Sequence, residues 1–296
     1  MLQNQKQTTA DVVIVIFMLI VVAITLYPFL NVMAKSFNDP LDTVKGGVHI
    51  VPRVPTIKNY TGLFERGSNL PTAFRTSVLR TVIGAVSGVL CCAMFAFVLS
   101  RKDFMFGSSF TVILVVTMYV SGGLIPEYLL IRNLRLINTF WVYIIPGLIN
   151  AFNVIVIRAY MDTIPFSLQE SAKIDGANDI SIFFQIIFPL CKPVLATIAL
   201  FIAVGQWNSW FDTYLYARNT KVLSTLQYEL MKVLDNAQAV GNRASDIYSE
   251  GLRQTRRNPE AIKMAITVIA TVPILVIYPF LQKYFVSGIT IGAVKE

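Results

Sequence analysis

One histidine, His49, and three cysteines in 296 residues leave this chain short of the side chains that most catalytic centres use. Cys91 and Cys92 are adjacent and Cys191 lies far downstream, a spacing that suits neither a disulfide framework nor a zinc site; they read as small apolar residues. Nucleophilic triads and metal-ligand clusters have too few parts to be assembled. A phosphate loop is missing as well. Gly62 and Gly67 have the right separation, but Ser68 stands where the phosphate-binding lysine belongs. Charge is scarce, at 14% of residues, against about 25% in soluble domains. The basic residues are interspersed with acids, so no nucleic-acid-binding stripe exists, and no repeat or low-complexity tract breaks the chain.

What the chain has instead is apolar length. Hydrophobic residues make up 55% of it and the mean hydropathy is +0.61. Six runs carry no charge at all: 12–34, 81–100, 104–126, 136–157, 193–211 and 264–282. About 20 helical residues cross roughly 30 Å of hydrocarbon, and the runs are continuous instead of alternating, which excludes a barrel. The spacing predicts an all-α membrane protein, a single domain over 1–296 with spans near 12–34, 78–100, 106–131, 138–160, 191–211 and 262–284. The first run has an apolar core longer than the 7–15 residues of a signal peptide, so it is expected to remain as a span. Polar loops fill 35–77 and 212–261, the second with room for short helices at 223–234 and 247–256.

Between the fourth and fifth spans, 165–190 holds a short polar double turn. Pro165 fixes the entry, and Ser167-Leu-Gln-Glu170 has the form of a capping box. A helix over 168–175 would close at Gly176, which takes a positive φ at low cost. Asn178 or Asp179 would cap the next helix, which Pro189 ends or kinks. Leu168, Ala172 and Asp175 share one face of the first helix, with Ala172 small enough for close approach to a partner. Within the spans, Glu127, Asn150, Asn153, Gln206, Trp207, Asn208 and Trp210 are the polar and aromatic residues expected to line a path. Polar side chains are costly inside a membrane and face either a cavity or another helix, and helix–helix hydrogen bonding is the second of those uses.

Glu170-Ser171-Ala172, then Asp175-Gly176-Ala177, Phe183, Ile186, Pro189 and Pro193, resemble the EAA loop of the permease subunits of ATP-binding-cassette (ABC) importers. Serine replaces the first alanine of that motif. The C-terminal stretch 282–296 resembles the tail of a maltose-type permease. Ser121-Gly-Gly-Leu-Ile-Pro126, Asn138-Thr-Phe-Trp141, Pro146-Gly147, Phe152-Asn153 and Gln206-Trp-Asn-Ser-Trp210 are similar to a carbohydrate branch that handles plant and algal polysaccharide fragments. The resemblance runs from about residue 11 to the end and is weakest over 212–260.

That resemblance implies a bacterial cell-membrane permease with both termini cytoplasmic, and not an enzyme. Its partners would be a second homologous permease, two ATPase subunits, an extracellular solute-binding protein and membrane lipid, with no nucleic acid. It implies no cofactor in this chain, since ATP and magnesium belong on the ATPase. Glu170, Ser171, Ala172, Asp175, Gly176, Ala177 and Pro189 would form the coupling segment, and Thr290, Gly292 and Lys295 a tail touching the ATPase. The implied substrate is an oligosaccharide, with an acidic one among the options. The outer loops of this topology hold most of the 25 basic residues, against the positive-inside rule, and such a face could steer an acidic partner. Another polar solute such as a peptide, or an ATPase-independent channel or secondary transporter, stay open as alternatives.

Overall fold

The computed structural model describes residues 9–61, 63, 69–243, 261 and 263–276, and every regular element among them is helical. The helices are α1 (Thr9–Ser36), α2 (Leu70–Ser100), α3 (Gly107–Tyr119), α4 (Leu124–Asn133), α5 (Ala151–Met161), α6 (Ser167–Ile174), α7 (Lys192–Asn208), α8 (Phe211–Tyr216), α9 (Leu226–Arg243) and α10 (Lys263–Val276). Shorter turns lie at Pro40–Val44 and Lys58–Thr61, and 3₁₀ turns at Phe140–Tyr143 and Ile145–Gly147. The chain divides into two compact units, one of 1–68 with 230–272 and one of 69–229 with 273–296.

In the first unit α1 is a continuous apolar helix whose residues 11–29 are all exposed. The loop after it is tied by amides. Asn59 Nδ2 donates to the carbonyls of Ser36 and Asn38 at 2.8 Å each, and Asn38 Nδ2 donates to Asp42 Oδ2 at 3.0 Å. That donation from Asn38 is the main reason Asp42 titrates below its usual range, helped by Arg53.

The second unit is built on α2, an unbroken helix of 31 residues. It begins eight positions before the expected 78, because Pro71 in the first turn favours helix initiation and needs no backbone partner. One face of α2 carries Gly84, Gly88, Cys92 and Ala96, a small residue at every fourth position, all buried. That stripe lets α7 approach closely. A Cβ on Gly84 would stand 3.0 Å from the Gln206 side chain, and one on Gly88 would stand 3.1 Å from Ile202 Cδ1. We expect Gly84→Leu to force α7 away at a cost of about 1–3 kcal/mol, the range for overpacking. Thermal unfolding of the detergent-solubilised protein checks this, and an unshifted midpoint would contradict the contact.

The remaining apolar runs are bent. Helices α3 and α4 meet at 118° because Val120 is extended and Gly123 takes φ 85°, so the run expected over 106–131 is a broken pair. Pro146 and Gly147 wind the start of the 138–160 run into 3₁₀ turns, bent by 48° from α5. The segment Asp179–Leu190 meets α7 at 83°. The sequence has Pro189 end or kink that segment; the segment runs one residue past it to Leu190 and the chain turns at Cys191, where Pro193 again withholds a donor. Ahead of Pro189, Ile182–Ile187 is π-wound, with the Phe188 N–H reaching back to Phe183 O. Proline's missing N–H leaves the normal ladder incomplete there, and the wider winding absorbs the defect. Ile182, Phe183 and Ile187 are buried in the core with Val154 and Ile157 of α5 and Phe97 of α2. Two helices, α1 and α2, are long and apolar enough to cross a membrane, and up to five crossings result if each bent pair counts as one.

Candidate functional site

A cavity of about 680 Å³ opens within the second unit. Arg80 from α2, Glu127 from α4, Val142, Tyr143, Pro146 and Gly147 from the 3₁₀ turns, Asn150, Phe152 and Asn153 at the head of α5, Phe201, Ile202, Gly205 and Gln206 from α7, and Ser209, Asp212 and Tyr216 around α8 contribute to its wall. Of the polar residues expected from the sequence, Glu127, Asn150, Asn153 and Gln206 come together here.

Their roles differ. Asn150 Oδ1 accepts the Asn153 N–H at 3.2 Å, which caps α5 and makes part of its polarity structural. Gln206 joins both sides of the wall: its Nε2 donates to Tyr143 O at 3.0 Å and its Oε1 accepts from Arg80 Nε at 3.0 Å. Trp207, Asn208 and Trp210 do not line the cavity. Trp207 lies one helical step round from Gln206, is buried, and meets Phe74 edge-on at 6.1 Å. Asn208 accepts from Gln227 Nε2, and Trp210 packs on Phe211 and Tyr214.

The residue that dominates the wall is one the sequence reading passed over. Arg80 is 2% exposed. Its guanidinium makes a bidentate pair with Asp212, donates to Ser209 O at 3.4 Å, and lies 4.4 Å over the Tyr143 ring. Tyr143 OH in turn donates to Leu223 O at 2.7 Å. Such a forked pair fixes geometry more firmly than a single contact, with its guanidinium buried and its carboxylate partly exposed to the cavity. Among the described residues the wall holds one guanidinium, paired with Asp212, and a second carboxylate in Glu127.

At the other end of α2 lies the 165–190 segment. Gly176 has φ 83°, and the Ala177 N–H reaches Ala172 O at 2.9 Å while the Gly176 N–H reaches Lys173 O at 3.0 Å, so α6 closes in a Schellman motif. Asn178 Oδ1 accepts the Ser181 N–H at 2.8 Å and caps the next segment, as the sequence indicates. The expected capping box does not form. Helix α6 starts from Phe166, because the turn is already set at Pro165, whose carbonyl accepts from Leu168. Ser167 therefore sits inside the helix. Ala172 and Gln169 face this chain's own core, so Ala172 is packed inward. Glu170, Ser171, Asp175 and Gly176 are exposed, with Ile174 86% exposed between them, while Ala177 and Pro189 are half-buried.

The turn after α2 holds α6 in place. Arg101 donates to both Asp103 oxygens and to Asp179 Oδ1, and Lys173 donates to Asp103 at 3.3 Å. The Arg101 guanidinium, and then Lys173, hold the Asp103 carboxyl well below the usual carboxylate range. The tail residues Thr290, Gly292 and Lys295, and the far part of the 212–261 loop, lie outside the described residues.

Apolar helices bent around a polar cavity, with a rigid polar turn presented at one end, define a membrane transport protein. The comparisons with known proteins agree. No family model matches the chain. It is 35% identical over 290 residues to the polygalacturonan/rhamnogalacturonan transport system permease protein YtcP of Bacillus subtilis, covering 98% of this chain and 99% of that one. It is 26% identical to the arabinooligosaccharides transport system permease protein AraQ of Halalkalibacterium halodurans, over 92% of each. Among solved structures it is similar to a chain of a bacterial ABC transporter involved in the import of the acidic polysaccharide alginate. The TM-score there is 0.81 at 27% identity, over 96% of this chain and 99% of that one. The chain belongs to the permease subunits of ABC sugar-transport systems.

Proposed function

We propose that this permease forms half of the membrane pathway of a binding-protein-dependent importer for oligosaccharides, with a second homologous permease supplying the other half. Six spans fit this reading: α1, α2, the three bent pairs, and a last span that begins in α10. The 165–190 segment is then the coupling segment on the cytoplasmic side, docking on an ATPase subunit that carries ATP and magnesium. Both chain termini lie on that same side, in the bacterial cell membrane. An extracellular solute-binding protein delivers the sugar to the cavity.

The observation that carries this reading is the 680 Å³ cavity walled by amides and aromatic rings between apolar helices. Amides match hydroxyls and rings match the apolar faces of sugars. Polygalacturonan and alginate, named for two similar proteins, are acidic, whereas the cation in this wall is already held by Asp212. Recognition through hydroxyls and ring faces is common to neutral and acidic oligosaccharides, and it is the part this chain supplies.

The test is uptake into proteoliposomes holding the permease pair and ATPase, with the binding protein added outside. Galacturonan, alginate and arabinan oligosaccharides are offered beside a peptide. We expect uptake of one or more oligosaccharides that requires ATP. Peptide uptake alone would overturn the substrate class, and sugar uptake without the ATPase would overturn the importer.

A further inference from the structure

Three consecutive residues just after α2 grip the coupling segment at three separated points. Arg101 Nη1 donates to Asp179 Oδ1 at 2.8 Å, while its Nε and Nη2 donate to Asp103 Oδ1 and Oδ2 at 2.9 and 2.6 Å. Asp103 also receives Lys173 from the last turn of α6 at 3.3 Å. Between them, the Lys102 ammonium lies 5.0 Å over the Phe166 ring at the entry to α6. The entry of α6, its last turn and the start of the Asp179–Leu190 segment are thus all tied to one short turn.

Exposed ion pairs are individually weak, and Asp103, Asp179 and Lys173 are exposed. Arg101 is not: its side chain is 7% exposed, and it lies 5.7 Å from the Phe97 ring centroid. A buried guanidinium with two carboxylates fixes direction as well as distance, because its fork accepts few geometries. Arg101 directly follows the last residue of α2, and Arg80 stands on the same unbroken helix. At 1.5 Å per residue the two are about 30 Å apart along the axis. A displacement of α6 that Arg101 transmits therefore reaches the cavity wall through one rigid element.

We propose that Arg101 and Asp103 are positioning residues for transport, clamping the coupling segment to α2 so that its motion moves Arg80 in the cavity. This rests on the import reading above. The experiment uses the full reconstituted transporter and reads sugar molecules taken up per ATP hydrolysed, normalised to assembled complex. Arg101→Gln and Asp179→Asn should each lower that ratio at least fivefold. The double variant should be no worse than the poorer single one, because both remove the same link. Arg101→Lys should fall between, since lysine keeps the charge and loses the fork. A clamp with only a structural role would reduce complex, hydrolysis and uptake together and leave the ratio unchanged, which would overturn the proposal. If the Arg101 variants do not assemble, Lys102→Gln and Lys173→Gln, both at exposed positions, should lower the same ratio, and an unchanged ratio there overturns it too. Wild type that shows no ATP-driven uptake would instead overturn the import reading itself.

Discussion

Arg80→Met should give a permease that is inserted but destabilised, by less than the roughly 3–5 kcal/mol of a fully buried pair, because Arg80 is buried while Asp212 is 23% exposed at the cavity. The stranded half is Asp212, which would lose both guanidinium bonds, while Gln206 loses the donor to its Oε1. The carboxylate left without its partner in the wall carries that cost, so the cure is to remove it. Arg80→Met combined with Asp212→Leu should recover most of the stability, since a packed apolar pair often replaces a buried ionic one without loss. Transport should not recover with it, because the wall of the proposed sugar path would carry Met and Leu in place of a hydrogen-bonded network. Thermal unfolding in detergent separates the single from the double variant, and uptake in proteoliposomes separates folding from function. A single variant as stable as wild type would show that the pair does not hold the fold, and full uptake by the double variant would remove the network from the site.

The pair was hidden from sequence reading for a definite reason. Arg80 sits one residue before a charge-free run and Asp212 one residue after another, and a charge at the end of an apolar run ordinarily marks the membrane surface. Only the three-dimensional pairing of α2 with the first turn of α8 shows that the two charges neutralise each other inside the wall. The signal was present as opposite charges at the ends of two runs, but nothing in the chain says which runs are neighbours. Local chemistry was far more legible. Positive φ at Gly176 and the Asn178 cap follow from residue types acting within a few positions. The Ser167 cap failed on the same short scale, because Pro165 sets the turn first. Among the polar residues near 206–210, periodicity was the missing information. One helical step of about 100° separates Gln206 in the cavity from Trp207 against Phe74, and composition alone treats them alike. The bends also escaped, since Gly123 and Pro193 lie inside or beside runs whose hydropathy looks continuous.

Gly176→Val should abolish uptake while leaving an inserted, assembled permease, and this is the sharpest expected effect on function. Gly176 holds φ 83° with no atom near the place of its missing Cβ, so the cost is in the backbone and not in a clash. A β-branched residue is a poor occupant of that left-handed region, and the strain falls within the range of 1–3 kcal/mol typical of such conformations. The cheapest relief is to open the Schellman turn, freeing the Ala172 and Lys173 carbonyls and swinging the exposed edge that carries Glu170, Ser171 and Asp175. The packed side, with Ala172 and Gln169 in the core, resists that movement, so the membrane bundle stays intact. Gly176→Asn is the control, because asparagine tolerates positive φ far better than valine, and it should retain most of the uptake. Glu170→Lys tests the surface rather than the turn: it reverses an exposed charge without touching the fold and should weaken ATPase binding to the permease. The measurements are uptake, sugar-stimulated ATP hydrolysis and co-purification of the ATPase. Sugar-stimulated hydrolysis at the wild-type rate in both Gly176→Val and Glu170→Lys would remove α6 from the coupling surface, whatever its resemblance to other permeases.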